Sequence, residues 1–219
     1  MKIKSIGLTV TILLFVSLSF TTVAKAVEIK YDDGTPEIAW NIAPAYKVGV
    51  MFTESDLPYS QNLLNKISIW MYFQETPNQE QLKMFFLNND STFSEIHTPI
   101  FTPALQGGWN DIDIHSLGIV LEHDFLIGLQ FLRPDGNRTG GFLGYDKDSG
   151  NNDHAYEYNE SKWPAPYWHV QVDPSGSGDV GLWMVRADVQ PVPEPTTMLL
   201  LGSGLIGLAG YGRRKFFKK

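Results

Sequence analysis

Short runs of alternating apolar and polar residues, cut apart by glycine and proline turns, limit what this chain can fold into. Lys66-Ile67-Ser68-Ile69-Trp70-Met71-Tyr72-Phe73 sets Ile67, Ile69, Met71 and Phe73 on one face, and Asn110-Asp111-Ile112-Asp113-Ile114 alternates acid with isoleucine. A period of two sends successive side chains to opposite faces of a pleat, so both segments read as half-buried strands. Further strands are expected at Val27–Tyr31, Tyr46–Phe52, Gln81–Leu87, Asp124–Leu132, Gly141–Tyr145, Ala155–Tyr158, Tyr167–Val172 and Val180–Val189. Between them lie turn formers such as Asp32-Asp33-Gly34, Gln106-Gly107-Gly108, Arg133-Pro134-Asp135-Gly136-Asn137 and Asp173-Pro174-Ser175-Gly176. The stretch closest to a helical period is Ser55 to Lys66. Many short strands with such turns predict an all-β fold, a single β-sandwich over residues 27–190.

The two ends have a different composition. Residues 1–26 carry Lys2 and Lys4, an apolar run from Ile6 to Phe20, and small residues at Ala24 and Ala26. That order is a secretory signal peptide with cleavage expected before Val27, too short in its apolar part to span a bilayer comfortably. At the other end Pro193-Glu194-Pro195 resists helix and stays extended, as a segment lying in an enzyme cleft must. The uncharged stretch from Thr196 to Gly212 follows, with Leu199, Leu200, Leu201, Leu205, Ile206 and Leu208 as its apolar body, and reads as a marginal transmembrane helix. Arg213, Arg214 and Lys215 then hold that end in the cytoplasm by the positive-inside tendency, leaving the body outside. The glycines of the span, from Gly202 to Gly212, read either as a helix-packing face or as the mark of a weak, temporary anchor.

In these residues the chain resembles the PEP-CTERM sorting signals, where a Pro-Glu-Pro motif, a glycine- and leucine-rich apolar helix and a basic tail stand in that order at the C-terminus. The resemblance covers Val192 to Lys219, and the sorting-signal region is expected at 191–219. It implies processing by an exosortase, a membrane-embedded enzyme of bacteria that make an extracellular polysaccharide matrix. It further implies recognition at Pro193, Glu194 and Pro195, transient anchoring in the inner membrane, and a destination in the cell envelope or matrix. Phe216-Phe217-Lys218-Lys219 extends past the usual short basic end.

Within 27–190, nine basic residues stand against 23 acidic ones, which excludes a cationic nucleic-acid surface. The absence of cysteine excludes disulfide scaffolds and thiol nucleophiles. Tyr31-Asp32-Asp33-Gly34-Thr35-Pro36-Glu37 with Trp40, Gly108 to Ile114, Asp124 to Gly128, and Trp183 to Val189 resemble a jelly-roll-type sandwich module of secreted bacterial proteins. That resemblance implies a fold and no activity.

No nucleophile elbow, His-Glu-x-x-His helix or phosphate loop is present, so the body is expected to be non-enzymatic. The competing class is a secreted carbohydrate-active enzyme using paired acids, with Glu122 and Asp124 or Asp111 and Asp113 as candidates. Such chemistry needs one shielded, protonated carboxyl, whereas alternation with Ile112 and Ile114 suggests a solvated strand face. The five histidines, at 97, 115, 123, 154 and 169, form no helical pair for zinc, though His115 and His123 sit close enough in sequence to converge across strands. For calcium, Asp146, Asp148, Asn152, Asp153 and Glu157 space hard oxygen donors partly like an EF-hand loop, without its glycine. For a glycan, Trp163, Tyr167 and Trp168 offer faces for sugar rings, and core packing is the competing role of the same side chains.

Overall fold

The computed structural model describes residues 25–40, 46–73, 81–90, 92–132, 141–148, 152–159, 168–170, 181–192 and 202–204. Their strands form two sheets. One, sheet A, contains β1 (Val27–Ile29), β2 (Ile38–Trp40), β4 (Asn62–Phe73), β8 (Gly108–Asp113), β9 (Val120–Leu121), β11 (Gly141–Asp146), β14 (Leu182–Trp183) and β15 (Val185–Pro191). The other, sheet B, contains β3 (Tyr46–Phe52), β5 (Gln81–Asn88), β6 (Glu95–His97), β7 (Ile100–Phe101), β10 (Phe125–Leu132), β12 (Ala155–Asn159) and β13 (Trp168–Val170). Every described pairing is antiparallel. The chain crosses repeatedly between sheets, as from β3 to β4, β4 to β5, β10 to β11 and β11 to β12.

The alternation explains the layers. Ile67, Ile69 and Met71 of β4 are fully buried between the sheets, beside Val50 and Phe52 of β3, Met84 and Phe86 of β5, and Ile127 and Leu129 of β10. A bulge refines that pattern. Asp188 pairs with Lys66 but Val189 pairs with Leu64, so Asn65 is the extra residue, and both Leu64 and Ile67 turn inward. The stretch nearest a helical period forms one 3-10 turn at Glu54–Asp56 and then enters β4. The short strands β2, β6, β7 and β9, with two or three residues each, carry too little alternation to be read from sequence.

Sheet B has a second apolar layer on its outer face: Met51, Phe85, Leu87, Leu126 and Trp168, flanked by Phe93, Tyr156 and Tyr158. Gly49 and Gly128 face each other across β3 and β10 beneath it. A Cβ on Gly128 would lie 2.5 Å from Cη2 of Trp168, so only a glycine leaves room for the indole.

The two ends of the body meet at one pole. Val27 opens β1 opposite Val189, and β15 runs out two residues later with Pro191 opposite Asn62. Val192 N–H donates to the Gln61 carbonyl at 3.2 Å, and the Tyr59 hydroxyl donates to the Lys25 carbonyl at 2.9 Å.

Candidate functional site

The expected sorting strip begins where the last ladder hydrogen bond ends. Val192 is still tied to Gln61, and Pro193 is the next residue. Pro193, Glu194 and Pro195 lie outside the described residues, as do Leu199, Leu200, Leu201, Leu205, Ile206, Leu208, Arg213, Arg214 and Lys215. Of the expected span, 202–204 are described; they are helical and exposed. Among the described residues no helix is long and apolar enough to cross a membrane. The signal segment through Ala24 is likewise outside them, whereas Ala26 precedes β1 directly and Val27 is its first residue.

The structure redistributes the expected calcium donors. Asp146 and Asp148 are joined by Asp33 and Glu37, and one ligand oxygen from each of these four residues lies within 4.8 Å of the others. Pairing of β2 with β11 causes this. Ile38 faces Tyr145, which brings Glu37 beside the end of β11. Asp33 N–H donates to Asp146 Oδ2 at 2.8 Å, Asp148 N–H to Asp146 Oδ1 at 3.1 Å, and Lys147 N–H to Glu37 Oε2 at 2.8 Å. The charge of Glu37, then burial and the charges of Asp33 and Asp146, push the Asp148 carboxyl above its usual range. Such a group of carboxylates supplies the hard oxygen donors that a divalent cation such as Ca²⁺ takes. Asp153 and Glu157 stand apart from it, because the chain has by then crossed to sheet B, where Glu157 pairs with Val48. The side chain of Asn152 lies outside the described residues. In sequence Asp33 stands in a turn and Glu37 in the fragment that resembles a jelly-roll module, and the strand pairing that recruits both is not legible there.

Of the expected glycan-facing aromatics, Trp163 and Tyr167 lie outside the described residues. Trp168 is 8% exposed; it packs against Gly128 and stands edge-on to Phe85, with ring centroids 6.2 Å apart. Its ring is occupied by protein, which is the core-packing role.

Each carboxylate of the candidate acid pairs accepts hydrogen bonds from neighbouring groups. Asp111 accepts from Lys66 Nζ at 2.8 Å and Ser68 Oγ at 2.6 Å, and these bonds hold its carboxyl below the usual range, opposite to what a general acid requires. Asp113 accepts from His115 N–H at 2.9 Å, Glu122 from Gln61 at 2.9 Å, and Asp124 from Glu54 N–H at 2.7 Å and Asn89 at 3.1 Å. His115 Nδ1 bonds Asn65 Oδ1 at 2.9 Å and His123 Nδ1 bonds Glu54 Oε2 at 3.3 Å.

The described geometry defines a β-sandwich body with a terminal segment attached directly to its last strand. That segment carries a sorting signal: residues 191–215 match the PEP-CTERM protein-sorting motif. No curated protein and no solved structure matches the chain.

Proposed function

We propose that this chain is an exported, non-enzymatic β-sandwich protein, anchored briefly in the inner membrane by its C-terminal span and delivered by an exosortase to the envelope or extracellular matrix. The match at 191–215 carries the reading. The shared pole supports it, because a signal peptide before Val27 and an anchor after Val192 would enter the same membrane from the same end of the body. From Val192 to Thr196 an extended chain reaches at most about 14 Å, which keeps that pole close to the bilayer. The repeated sheet-to-sheet crossings favour a jelly roll as the sandwich type. In the matrix the body binds polysaccharide, and Asp33, Glu37, Asp146 and Asp148 hold a structural calcium ion that braces the 33–37 turn against β11.

Intact-mass analysis of surface material from cells with and without the exosortase tests the sorting reading. The expected mature species starts at Val27 and lacks the span and basic tail, and replacing Pro193, Glu194 and Pro195 by alanine retains them. A mature species running from Val27 to Lys219 in the presence of the enzyme rules the reading out.

A further inference from the structure

The outer face of sheet A carries aromatic side chains where a solvated sheet ordinarily carries polar ones. Ile67, Ile69 and Met71 face inward, so Trp70 and Tyr72 of β4 point outward, and so do their cross-strand partners, Trp109 of β8 and Phe142 of β11. Trp70 and Trp109 are half-buried and Tyr72 is 48% exposed. Tyr72 and Phe142 meet edge to face with centroids 6.0 Å apart. The two pairs sit two residues apart along β4, roughly 7 Å.

Trp109 also borders a cavity of about 320 Å³ whose wall includes Pro103, Leu105, Gln106 and Asp111. Asn110 fixes that wall. Its Oδ1 accepts from Gln106 N–H at 2.7 Å, and its Nδ2 donates to the carbonyls of Gln106 and Gly108 at 2.8 Å each. The Gln106 side chain is exposed, and the Asp111 carboxylate is 58% exposed despite its bonds to Lys66 and Ser68. The Arg186 guanidinium lies 3.8 Å from the Trp109 ring centroid and locks the indole in place.

We propose that this face, with the Trp109 cavity at its edge, is a binding site for an uncharged polysaccharide. Sugar rings present C–H faces that stack on aromatic rings and hydroxyls that need carboxylate and amide partners, and the face offers both beside a preformed cavity. Its charges select against other occupants. Glu28, Asp111, Asp113 and Asp188 outnumber Lys66 and Arg186, which disfavours anionic lipids, nucleic acids and polyanionic glycans. The inference rests on the polysaccharide-binding reading above and moves its site from the Trp163–Trp168 segment to the opposite sheet.

The test is electrophoresis of the full chain in detergent micelles through native gels. The gels contain dextran, hydroxyethylcellulose, galactomannan or the neutral fraction of the host's own matrix polysaccharide, with alginate as the polyanionic control. At least one neutral polymer is expected to retard the chain and alginate is not. Trp109→Ala weakens that retardation about ten-fold, the loss expected for one stacked ring. Because Trp109→Ala also removes the ring that stacks on Arg186, Tyr72→Ala and Gln106→Ala are measured beside it, each expected to weaken binding at an unchanged melting temperature. Retardation that persists in all three variants overturns the site and leaves polysaccharide binding standing. No retardation by any neutral polymer overturns both. A dimer in solution that Tyr72→Ala dissolves would instead make the face a self-interface and overturn the proposal.

Discussion

Arg186 and Asp32, 154 residues apart in the chain, form a forked ion pair in which Arg186 Nε donates to both carboxylate oxygens at 3.2 and 3.1 Å and the Asp32 side chain is fully buried. Removing one member of such a pair strands a buried charge. Arg186→Ala is therefore expected to destabilise the body by about 3–5 kcal/mol. Arg186→Lys is expected to restore only part of this, because an ammonium cannot reproduce the fork or the stack on Trp109. Urea unfolding measures both, and an Arg186→Lys variant as stable as wild type would contradict the account.

Gly128 is the seat of Trp168. With an added Cβ 2.5 Å from Cη2 and 2.8 Å from Cζ2 of that indole, Gly128→Ala must displace the ring, at a cost of about 1–3 kcal/mol. In a Trp168→Ala background most of that cost is expected to vanish. A double-mutant cycle by thermal unfolding reads the coupling, and additivity of the two changes would refute the packing of Trp168 on Gly128.

Asp148 is expected to oppose folding at neutral pH. Its carboxyl is raised by Glu37, burial, Asp33 and Asp146, so between its unfolded and folded pKa values the unfolded chain ionises more readily and stability falls as pH rises. Asp148→Asn should thus raise the melting temperature at pH 7 in the presence of chelator. Millimolar calcium should raise that of the native chain by relieving the same repulsion, and do less for the variant. Differential scanning calorimetry with and without calcium separates the two effects.

Asp56 behaves in the opposite sense. Burial opposes its ionisation, but hydrogen bonds from Thr53 and Tyr31 prevail and hold its carboxyl below the usual range. Asp111 is lowered through Lys66 and Ser68, and Asp90 through Ser94 and Thr92. The stability these groups contribute is present above an unfolded carboxyl pKa of about 4 and is lost as pH falls through their lower folded values. Tyr31→Phe, which removes one donor to Asp56, is expected to cost about 1 kcal/mol at pH 7 and to flatten the decline below pH 4. Chemical unfolding at pH 7, 5 and 3 provides the comparison.

The sorting geometry has its own test. Since Val192 is still bonded to Gln61, an enzyme closing on Pro193 works against the body's pole. Ten Gly/Ser residues inserted after Val192 are expected to speed processing in a pulse-chase assay, and a slower rate would mean that the enzyme uses the pole as a docking surface.

Sequence alone determined the period-two strands, because alternation along a single strand decides which side chains are buried: Ile67, Ile69 and Met71 need only their own neighbours to be read. It determined the Pro-Glu-Pro segment and its basic tail for the same reason, since such a signal is contiguous. Tertiary structure decided what depends on register between distant strands. Pairing of β2 with β11 drew Asp33 and Glu37 to Asp146, the crossing to sheet B removed Glu157 from that group, and the bare backbone of Gly128 on β10 gave Trp168 the room to pack. The aromatic face of sheet A was hidden for the same cause: Trp70, Trp109 and Phe142 become neighbours only when hydrogen bonds between strands fix which residues stand opposite one another.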